Sequence, residues 1–477
     1  MKTFDLIALF IFSACAVAAA QSHSVPGTPT TSVAMALDPA VAAPGYATVS
    51  ADFNGDGKMD LATTNGKSGG LTIRLGNGDG TFLPSVTYRP GYYYNAIVAG
   101  DFNGDGKIDL AVSLPTLCGG CGGFPSYQLQ VFLGAGDGTF TNVHRQYPFY
   151  GLPLAAGDFN GDGKLDLIVT TTDYYGEDWY AQIVLGKGDG TFEKGAELVD
   201  TFWPTHPAVG DLNGDGKLDI ALPALNEIEG LAITYIFLGN GDGTFSTPTS
   251  YAGTNFYGYA AALGDFNGDG KLDIATDAVQ VLLNNGDGTF TNDASVNVRG
   301  WSGGVVTGDF NGDGKIDFAT ENEIASFPES NLILLGNGDG TFQTVTVEGG
   351  SQVLQAVDFN RDGKLDLLTA SGIFLQTPAA LSTAYMNFNE VAINAHSAPQ
   401  TVTLTNVGNT LMTIKSLAIT GTGFSQTNTC SGVLAAGKSC QIRVVFFPTA
   451  IQDYNASISV TVPGAPPSTV ALTGYGY

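Results

Sequence analysis

Positive charge is the scarcest commodity in this 477-residue sequence: 19 Lys plus Arg stand against 45 Asp plus Glu, a formal net charge of −26. Nucleic acids and anionic membrane surfaces are held by clustered Lys and Arg, so both are excluded as partners. Long apolar runs are equally rare. Outside residues 6–19, no segment is long and apolar enough for a transmembrane helix. His occurs four times and is scattered, which leaves no Cys/His set at the spacing of a zinc site. Charged residues make up only 13% of the chain, yet 43% is hydrophobic, enough for a sizeable core and too much for a disordered acidic chain. Gly is abundant, with 65 copies. Because each Gly in a helix costs about 1 kcal/mol relative to Ala, that abundance points to a turn-rich, all-β protein of several domains.

The N-terminus reads as a secretory signal. Lys2 precedes the apolar run, and Ala18-Ala19-Ala20 gives a small-x-small cleavage site before Gln21. Residues 1–20 are therefore expected to be a signal peptide cleaved after Ala20, and residues 21–30 a flexible leader. The rival is a lipid-modified Cys15; against it stand Phe12, where an aliphatic residue is wanted, and the apolar stretch that continues past Cys15. Export leaves four cysteines, Cys118, Cys121, Cys430 and Cys440, whose even number and local pairing favour disulfides. Cys118-Gly119-Gly120-Cys121 has Gly- and Pro-rich flanks rather than the helix of a redox motif, so a loop staple is expected there.

A nine-residue segment, Asp52-Phe53-Asn54-Gly55-Asp56-Gly57-Lys58-Met59-Asp60, recurs from Asp101, Asp158, Asp211, Asp265, Asp309 and Asp358, at spacings of 49, 57, 53, 54, 44 and 49 residues. Six copies are followed by a second motif, Leu75-Gly76-Asn77-Gly78-Asp79-Gly80-Thr81-Phe82 and its equivalents, ending at Phe140, Phe192, Phe245, Phe290 and Phe342. Apolar, β-branched runs bounded by Gly and Asp clusters are strand and hairpin signals, four per unit. Four strands repeated seven times is the arithmetic of a seven-bladed β-propeller. The seventh copy ends at Ile373-Phe374-Leu375 without a second motif, and residues 31–37 precede the first copy where an outer strand would lie. That N-terminal segment is expected to complete blade seven and leave no open sheet edge.

The first motif places oxygen side chains at positions 1, 3, 5 and 9 of a tight loop, with Gly at position 6 for the bend and the position-7 carbonyl free to face inward. Hard cations such as Ca²⁺ take six to eight oxygen ligands. Asx turns alone would explain one copy; seven copies with three Asp each point to metal. The candidate ligands are Asp52, Asn54, Asp56, Lys58 (carbonyl) and Asp60 in copy one, and Asp101, Asn103, Asp105, Lys107 and Asp109 in copy two. Copy three offers Asp158, Asn160, Asp162, Lys164 and Asp166; copy four, Asp211, Asn213, Asp215, Lys217 and Asp219. Copy five has Asp265, Asn267, Asp269, Lys271 and Asp273, copy six Asp309, Asn311, Asp313, Lys315 and Asp317, and copy seven Asp358, Asn360, Asp362, Lys364 and Asp366. Up to seven Ca²⁺ are expected. The residues after position 9 are strand-like, and position 12 lacks the Glu of a helical EF-hand. The Asp of the Gly-Asp-Gly turns, such as Asp79, is read as a turn former.

Asp-Phe-Asn-Gly-Asp-Gly-Lys-x-Asp-Leu followed by Leu-Gly-x-Gly-Asp-Gly-Thr-Phe resembles the FG-GAP/VCBS repeats of α-integrin-type propellers, over residues 31–376. The resemblance implies that the first hairpin of each blade binds Ca²⁺ through the matched positions. Leu212 for Phe and Arg361 for Gly are the departures, and neither removes a ligand. From residue 377 the Asp loops vanish, and 400–405, 411–419, 441–447 and 456–462 read as strands of a β-sandwich. Leu404-Thr405-Asn406-Val407-Gly408-Asn409, Cys430, Gly437-Lys438-Ser439-Cys440, Phe446-Phe447-Pro448 and Leu472-Thr473-Gly474-Tyr475-Gly476 resemble the ASH-like, choice-of-anchor D type of immunoglobulin-like domain. That resemblance implies a Cys430–Cys440 disulfide in a domain spanning 377–477.

On the face opposite the loops, an aromatic residue precedes the first Asp in six copies: Tyr46, Tyr94, Tyr150, Trp203, Tyr257 and Trp301. As a repeated set these are expected to wedge adjacent blades. The blade-specific Tyr174, Tyr175, Trp179 and Tyr180, together with Trp203 and Trp301, are the candidate ligand-binding aromatics. Two motifs are decoys. Residues 432–439 match the nucleotide P-loop pattern but lie between two cysteines of a β domain, and 66–70 match the nucleophile elbow without a following helix. No catalytic constellation stands out among the four His. The expectation is a secreted, monomeric, Ca²⁺-binding propeller that recognises an extracellular glycan or protein. The alternative is a polysaccharide-active lyase or glycosidase on the same scaffold.

Overall fold

The computed structural model describes residues 35–37, 47–65, 69–89, 92, 94–117, 125–143, 151–172, 179–198, 205–226, 231–253, 260–277, 280–293, 304–322, 330–348, 352–383, 385–408, 410–463, 465 and 467–477. Among these residues every regular element is a strand. The signal and leader segments, Cys118, Cys121 and the 66–68 part of the elbow-like motif lie outside the described residues.

In the repeat region each unit folds into a four-stranded antiparallel meander, the sheet form from which propellers are built. Sheet one comprises Ala47–Ala51, Asp60–Asn65, Gly70–Arg74 and Val86–Tyr88. The Asp loop joins its first two strands, and the Gly-Asp-Gly turn follows its third. Sheets two to six repeat this order within residues 97–143, 152–197, 208–252, 261–293 and 305–348. Sheet seven draws three strands from Val353–Val357, Asp366–Thr369 and Gly372–Gln376. Its fourth is Met35–Leu37, which pairs antiparallel with the last of these, Met35 opposite Gln376 and Leu37 opposite Phe374.

Strands buried on both faces need apolar side chains at consecutive positions, and each sheet buries its faces against its neighbours. The cores accordingly straddle sheet pairs. Leu61 of sheet one, for example, clusters with Leu354, Phe359, Leu368, Ile373 and Leu375 of sheet seven. First strands touch in sequence order, and Val353–Val357 touches Ala47–Ala51, with the Ser50 N–H donating to Gln355 Oε1 at 2.6 Å.

The two motifs meet across these boundaries. The position-2 Phe of one loop packs edge-on against the Phe that ends the next sheet's turn. Ring centroids are 5.5 Å apart for Phe53 and Phe140, 5.7 Å for Phe102 and Phe192, 5.9 Å for Phe159 and Phe245, and 5.6 Å for Phe266 and Phe342. Phe359 of sheet seven meets Phe82 of sheet one at 6.3 Å. The same position-2 carbonyls accept the N–H of Gly138, Gly190, Gly243, Gly340 and Gly80 respectively, at 2.9–3.3 Å. Glycine is required there: Gly80 has φ +86°, and a Cβ on it would lie 2.6 Å from Leu375 of sheet seven.

The C-terminal region is a sandwich of two four-stranded sheets and a two-stranded ribbon. Its alternating strands, such as Ser439–Phe446, point Val402, Leu404, Ile442, Val444, Phe446, Ile458, Val460, Val470 and Leu472 into one core. Cys430 and Cys440 form a disulfide. The stretch matching the P-loop pattern runs from the ribbon strand Val433–Leu434 into the strand Ser439–Phe446, so it lacks the helix a phosphate cradle needs.

Removing one interlocking ring should cost as much as any core aromatic. Phe266 is fully buried and meets both Phe318 and Phe342, so Phe266→Ala is expected to destabilise the repeat region by about 3–5 kcal/mol in denaturant melts. A loss comparable to a surface substitution would refute the interlock.

Candidate functional site

Each Asp loop is built around its first and last carboxylates. Asp52 Oδ1 accepts the N–H of Gly55 and Asp56 at 2.7 and 3.2 Å, and Oδ2 accepts that of Gly57 at 2.8 Å. Asn54 Oδ1 takes the Asp56 N–H at 2.9 Å, and Asp56 Oδ1 the Lys58 N–H at 3.0 Å. These are nested Asx turns, and they need positive φ at the position-6 glycine, +77° at Gly57. In copy seven Arg361 occupies position 4 with φ +59°.

Position 9 does something its place in the motif does not announce. Asp60, Asp109, Asp166, Asp219, Asp273, Asp317 and Asp366 are fully buried at the start of each second strand. In every copy Oδ2 accepts the position-2 N–H, from Phe53, Phe102, Phe159, Leu212, Phe266, Phe310 and Phe359, at 2.8–3.0 Å. Oδ1 reaches the end of the same sheet's third strand, where the second hairpin begins in sheets one to six, and accepts the N–H of Gly76, Gly134, Gly186, Gly239, Asn284, Gly336 or Gln376 at 2.7–2.8 Å. One carboxylate thus clips the Asp loop to the neighbouring hairpin.

The electrostatics follow from this placement. Burial pushes the position-9 carboxyls up, to about 6 for Asp109, Asp166 and Asp273, about 7 for Asp317 and about 8 for Asp366. The two N–H donors oppose that rise, and the like charges at positions 1 and 5 add to it. Position 5 is more exposed. The Lys58 ammonium sits 3.0 Å from Asp56, as Lys164 does from Asp162, and its hydrogen bond holds each carboxyl below the usual range.

The donor set of each loop is all oxygen: carboxylates at 1, 5 and 9, an amide at 3 and a carbonyl at 7. It fits a hard cation in composition. Among the described residues, no three His, Cys, Asp or Glu side chains are grouped as a metal site, because the carboxylates are directed at N–H donors and at Lys. An oxygen accepting one N–H keeps further acceptor capacity. In the Gly-Asp-Gly turns, Asp79 Oδ1 accepts the Thr81 N–H at 3.0 Å and its hydroxyl at 2.6 Å, the arrangement of a turn former.

On the opposite face Tyr94 is fully buried, donates to Gln130 at 3.2 Å and packs edge-on against Phe132, as a wedge would. Trp179 opens the strand Trp179–Gly186, where Tyr180 lies half-buried opposite Thr171. Tyr46, Tyr150, Tyr174, Tyr175, Trp203, Tyr257 and Trp301 lie outside the described residues.

The FG-GAP-like repeat family matches residues 52–112, 121–169, 158–222, 232–276 and 275–320, together more than half of the sequence, and the chain belongs to that family. The HYDIN/CFA65/VesB-like, Ig-like domain family matches residues 380–477. Integrin alpha-PS3 of Drosophila melanogaster is 29% identical over 150 residues, covering 27% of this chain and 13% of that protein; the chain thus spans only a small part of that relative. Among solved structures, the ASH/PapD-like domain 7 of human CEP192 matches at 12% identity, covering 21% of this chain and 86% of that one, with a TM-score of 0.19. A protein of unknown function from Porphyromonas gingivalis matches at 11% identity over 34% of this chain and 90% of that one, also with a TM-score of 0.19. No helix of the described residues is long and apolar enough to cross a membrane.

His206 gives the region a defined acid response. It is buried, and desolvation lowers its pKa to about 4, so it is neutral in the fold while the unfolded chain takes up a proton near pH 6.5. The resulting stability is present above pH 6.5 and is lost as pH falls towards 4, on the order of 3 kcal/mol in all. His206→Asn should flatten the acid limb of stability against pH relative to wild type; parallel limbs would refute this.

Proposed function

We propose that the chain is a secreted, Ca²⁺-binding propeller of seven blades over residues 31–376, followed by an immunoglobulin-like domain over 377–477, and that it acts as an extracellular adhesion or recognition module. Its ligand is a protein or glycan outside the cell. The observation that carries the reading is one loop with one oxygen donor set repeated seven times, six of the copies within the family-matched segments. Ring closure is supported by the pairing of Met35–Leu37 with sheet seven, by Phe359 against Phe82 and by the Ser50–Gln355 bond. Similarity to an integrin α chain favours adhesion over catalysis.

Ca²⁺ would be held by positions 1, 3, 5 and 9 and the position-7 carbonyl of each loop. It would offset the repulsion among three carboxylates, one of them buried. The pairing of Lys with position 5 in copies one to six is a weak competitor, because an exposed ion pair contributes about 0–1 kcal/mol. Asp366 of copy seven is the position-9 carboxyl that burial raises furthest, to about 8.

A cation bound only by the native state must stabilise it, by about 2.7 kcal/mol per site at a hundredfold excess over Kd. Melting of the repeat region should therefore rise with Ca²⁺ and fall on chelation, and an unchanged Tm would refute the metal assignment. Arrays of extracellular proteins and glycans probed with the Ca²⁺-loaded protein should show binding without turnover. Cleavage of a bound polysaccharide would overturn the adhesion reading in favour of an enzyme.

A further inference from the structure

Between most neighbouring sheets, the loop of one faces the Gly-Asp-Gly turn of the next. After sheet six that turn is missing from the sequence, and the chain runs through Gln376, Thr377 and Ala379, all buried, into the sandwich. Gln376 replaces the turn twice over. Its N–H donates to Asp366 Oδ1 at 2.7 Å, and its Nε2 donates to the Phe310 carbonyl of loop six at 2.8 Å. Three residues on, the Ala379 carbonyl accepts the Ser468 hydroxyl at 2.8 Å. Ser468 opens the last sandwich strand, Ser468–Gly476, which touches the Met35–Leu37 strand of sheet seven.

Loop six also differs from its equivalents in exposure. The Asp313 side chain is 15% exposed, whereas the position-5 carboxylates of sheets one to five keep 35–38%. Its Lys315 stands off at 3.9 Å, the longest of these six pairs. Same motif, different surroundings: what sets loop six apart is that an interdomain segment lies where a turn would be.

We propose that loop six is the seat of the immunoglobulin-like domain, and that a divalent cation held there fixes the domain's position against the repeat region. This rests on the calcium reading above. The coupling runs through one carbonyl. A cation bound by Asp309, Asn311 and Asp313 orders the loop that presents the Phe310 carbonyl, and that carbonyl holds the Gln376 side chain at the root of the linker. Loops one to five have the same donors, but a Gly turn or an Asn side chain of the next sheet takes their carbonyls, so their occupancy has no domain to move.

The test is small-angle scattering and thermal melting of the full chain, with CaCl₂ and with chelator. Four proteins are compared: wild type, Asp309→Asn/Asp313→Asn, the matched Asp101→Asn/Asp105→Asn of sheet two, and Gln376→Ala. Ca²⁺ should lower the radius of gyration of wild type and of the sheet-two variant, and leave that of the sheet-six variant unchanged. Gln376→Ala should keep the Ca²⁺-dependent rise in Tm and lose the scattering response. If the sheet-six variant fails to fold, Gln376→Ala decides alone. A wild-type Tm that rises with Ca²⁺ while its radius of gyration stays fixed, or a scattering response preserved in Gln376→Ala, overturns the coupling and leaves the metal assignment standing. A wild-type Tm indifferent to Ca²⁺ removes both.

Discussion

The buried carboxylate at position 9 is the interaction on which the rest of the repeat region depends. A four-stranded meander has two hairpins at one end, and nothing in strand pairing alone fixes how their loops sit relative to one another. One Asp side chain, taking an N–H from each hairpin, does so in six sheets, and in sheet seven the same carboxylate joins the loop to Gln376 at the end of the third strand. An uncompensated buried charge would be costly, and each additional hydrogen bond to the ionised form offsets part of that cost. The carboxyl is nevertheless held above its usual range, so the clip keeps an electrostatic debt that a cation among the neighbouring carboxylates would relieve.

From that clip the inter-sheet contacts follow. With loop and turn fixed together, the position-2 Phe and the Phe ending the turn are presented on opposite flanks of each sheet, where each meets its neighbour. The exceptions keep the bond and change the donor. Where sheet five has Asn284 in place of the first turn Gly, its Nδ2 takes over the Leu212 carbonyl at 2.8 Å. Where sheet seven has no turn, Gln376 does the same for Phe310. That two amide side chains independently satisfy the same carbonyl shows the constraint to be the buried acceptor itself rather than the identity of the turn.

The four strands of each repeat and the N-terminal strand of sheet seven were legible because period, Gly clusters and apolar runs all agree there. The role of position 9 was not legible. A motif shows that Asp recurs, but whether it faces a cation or a backbone donor depends on the end of the third strand, 10 to 25 residues away in sequence. Tyr385–Val391 was missed for a different reason. Only Met386 and Phe388 are buried in a run otherwise made of Asn, Glu, Tyr and a terminal Val, and the strand is stabilised by parallel pairing with the chain's last strand, a partner no local pattern encodes. The 411–419 segment, expected as one strand, divides into Met412–Thr413 and Ser416–Thr420 because its halves pair with different sheets.

The formal charge of −26 takes on a different meaning in this light. Seven loops with three Asp each and six Gly-Asp-Gly turns hold more than half of the acidic residues, and all of them lie at one end of the sheets. Six of the turn Asp are spent on Thr N–H and hydroxyl groups, and the position-9 Asp on backbone donors. The carboxylates nearest solvent are those at positions 1 and 5, and one divalent ion in each of the seven loops would cancel about half of the net charge. A face so committed to its own turns and to small cations is poorly suited to a large anionic or apolar ligand. If the chain recognises a macromolecule, as proposed, the opposite face is the better placed, because in the sequence the connections between repeats vary there in length and composition and the repeat no longer dictates the residue.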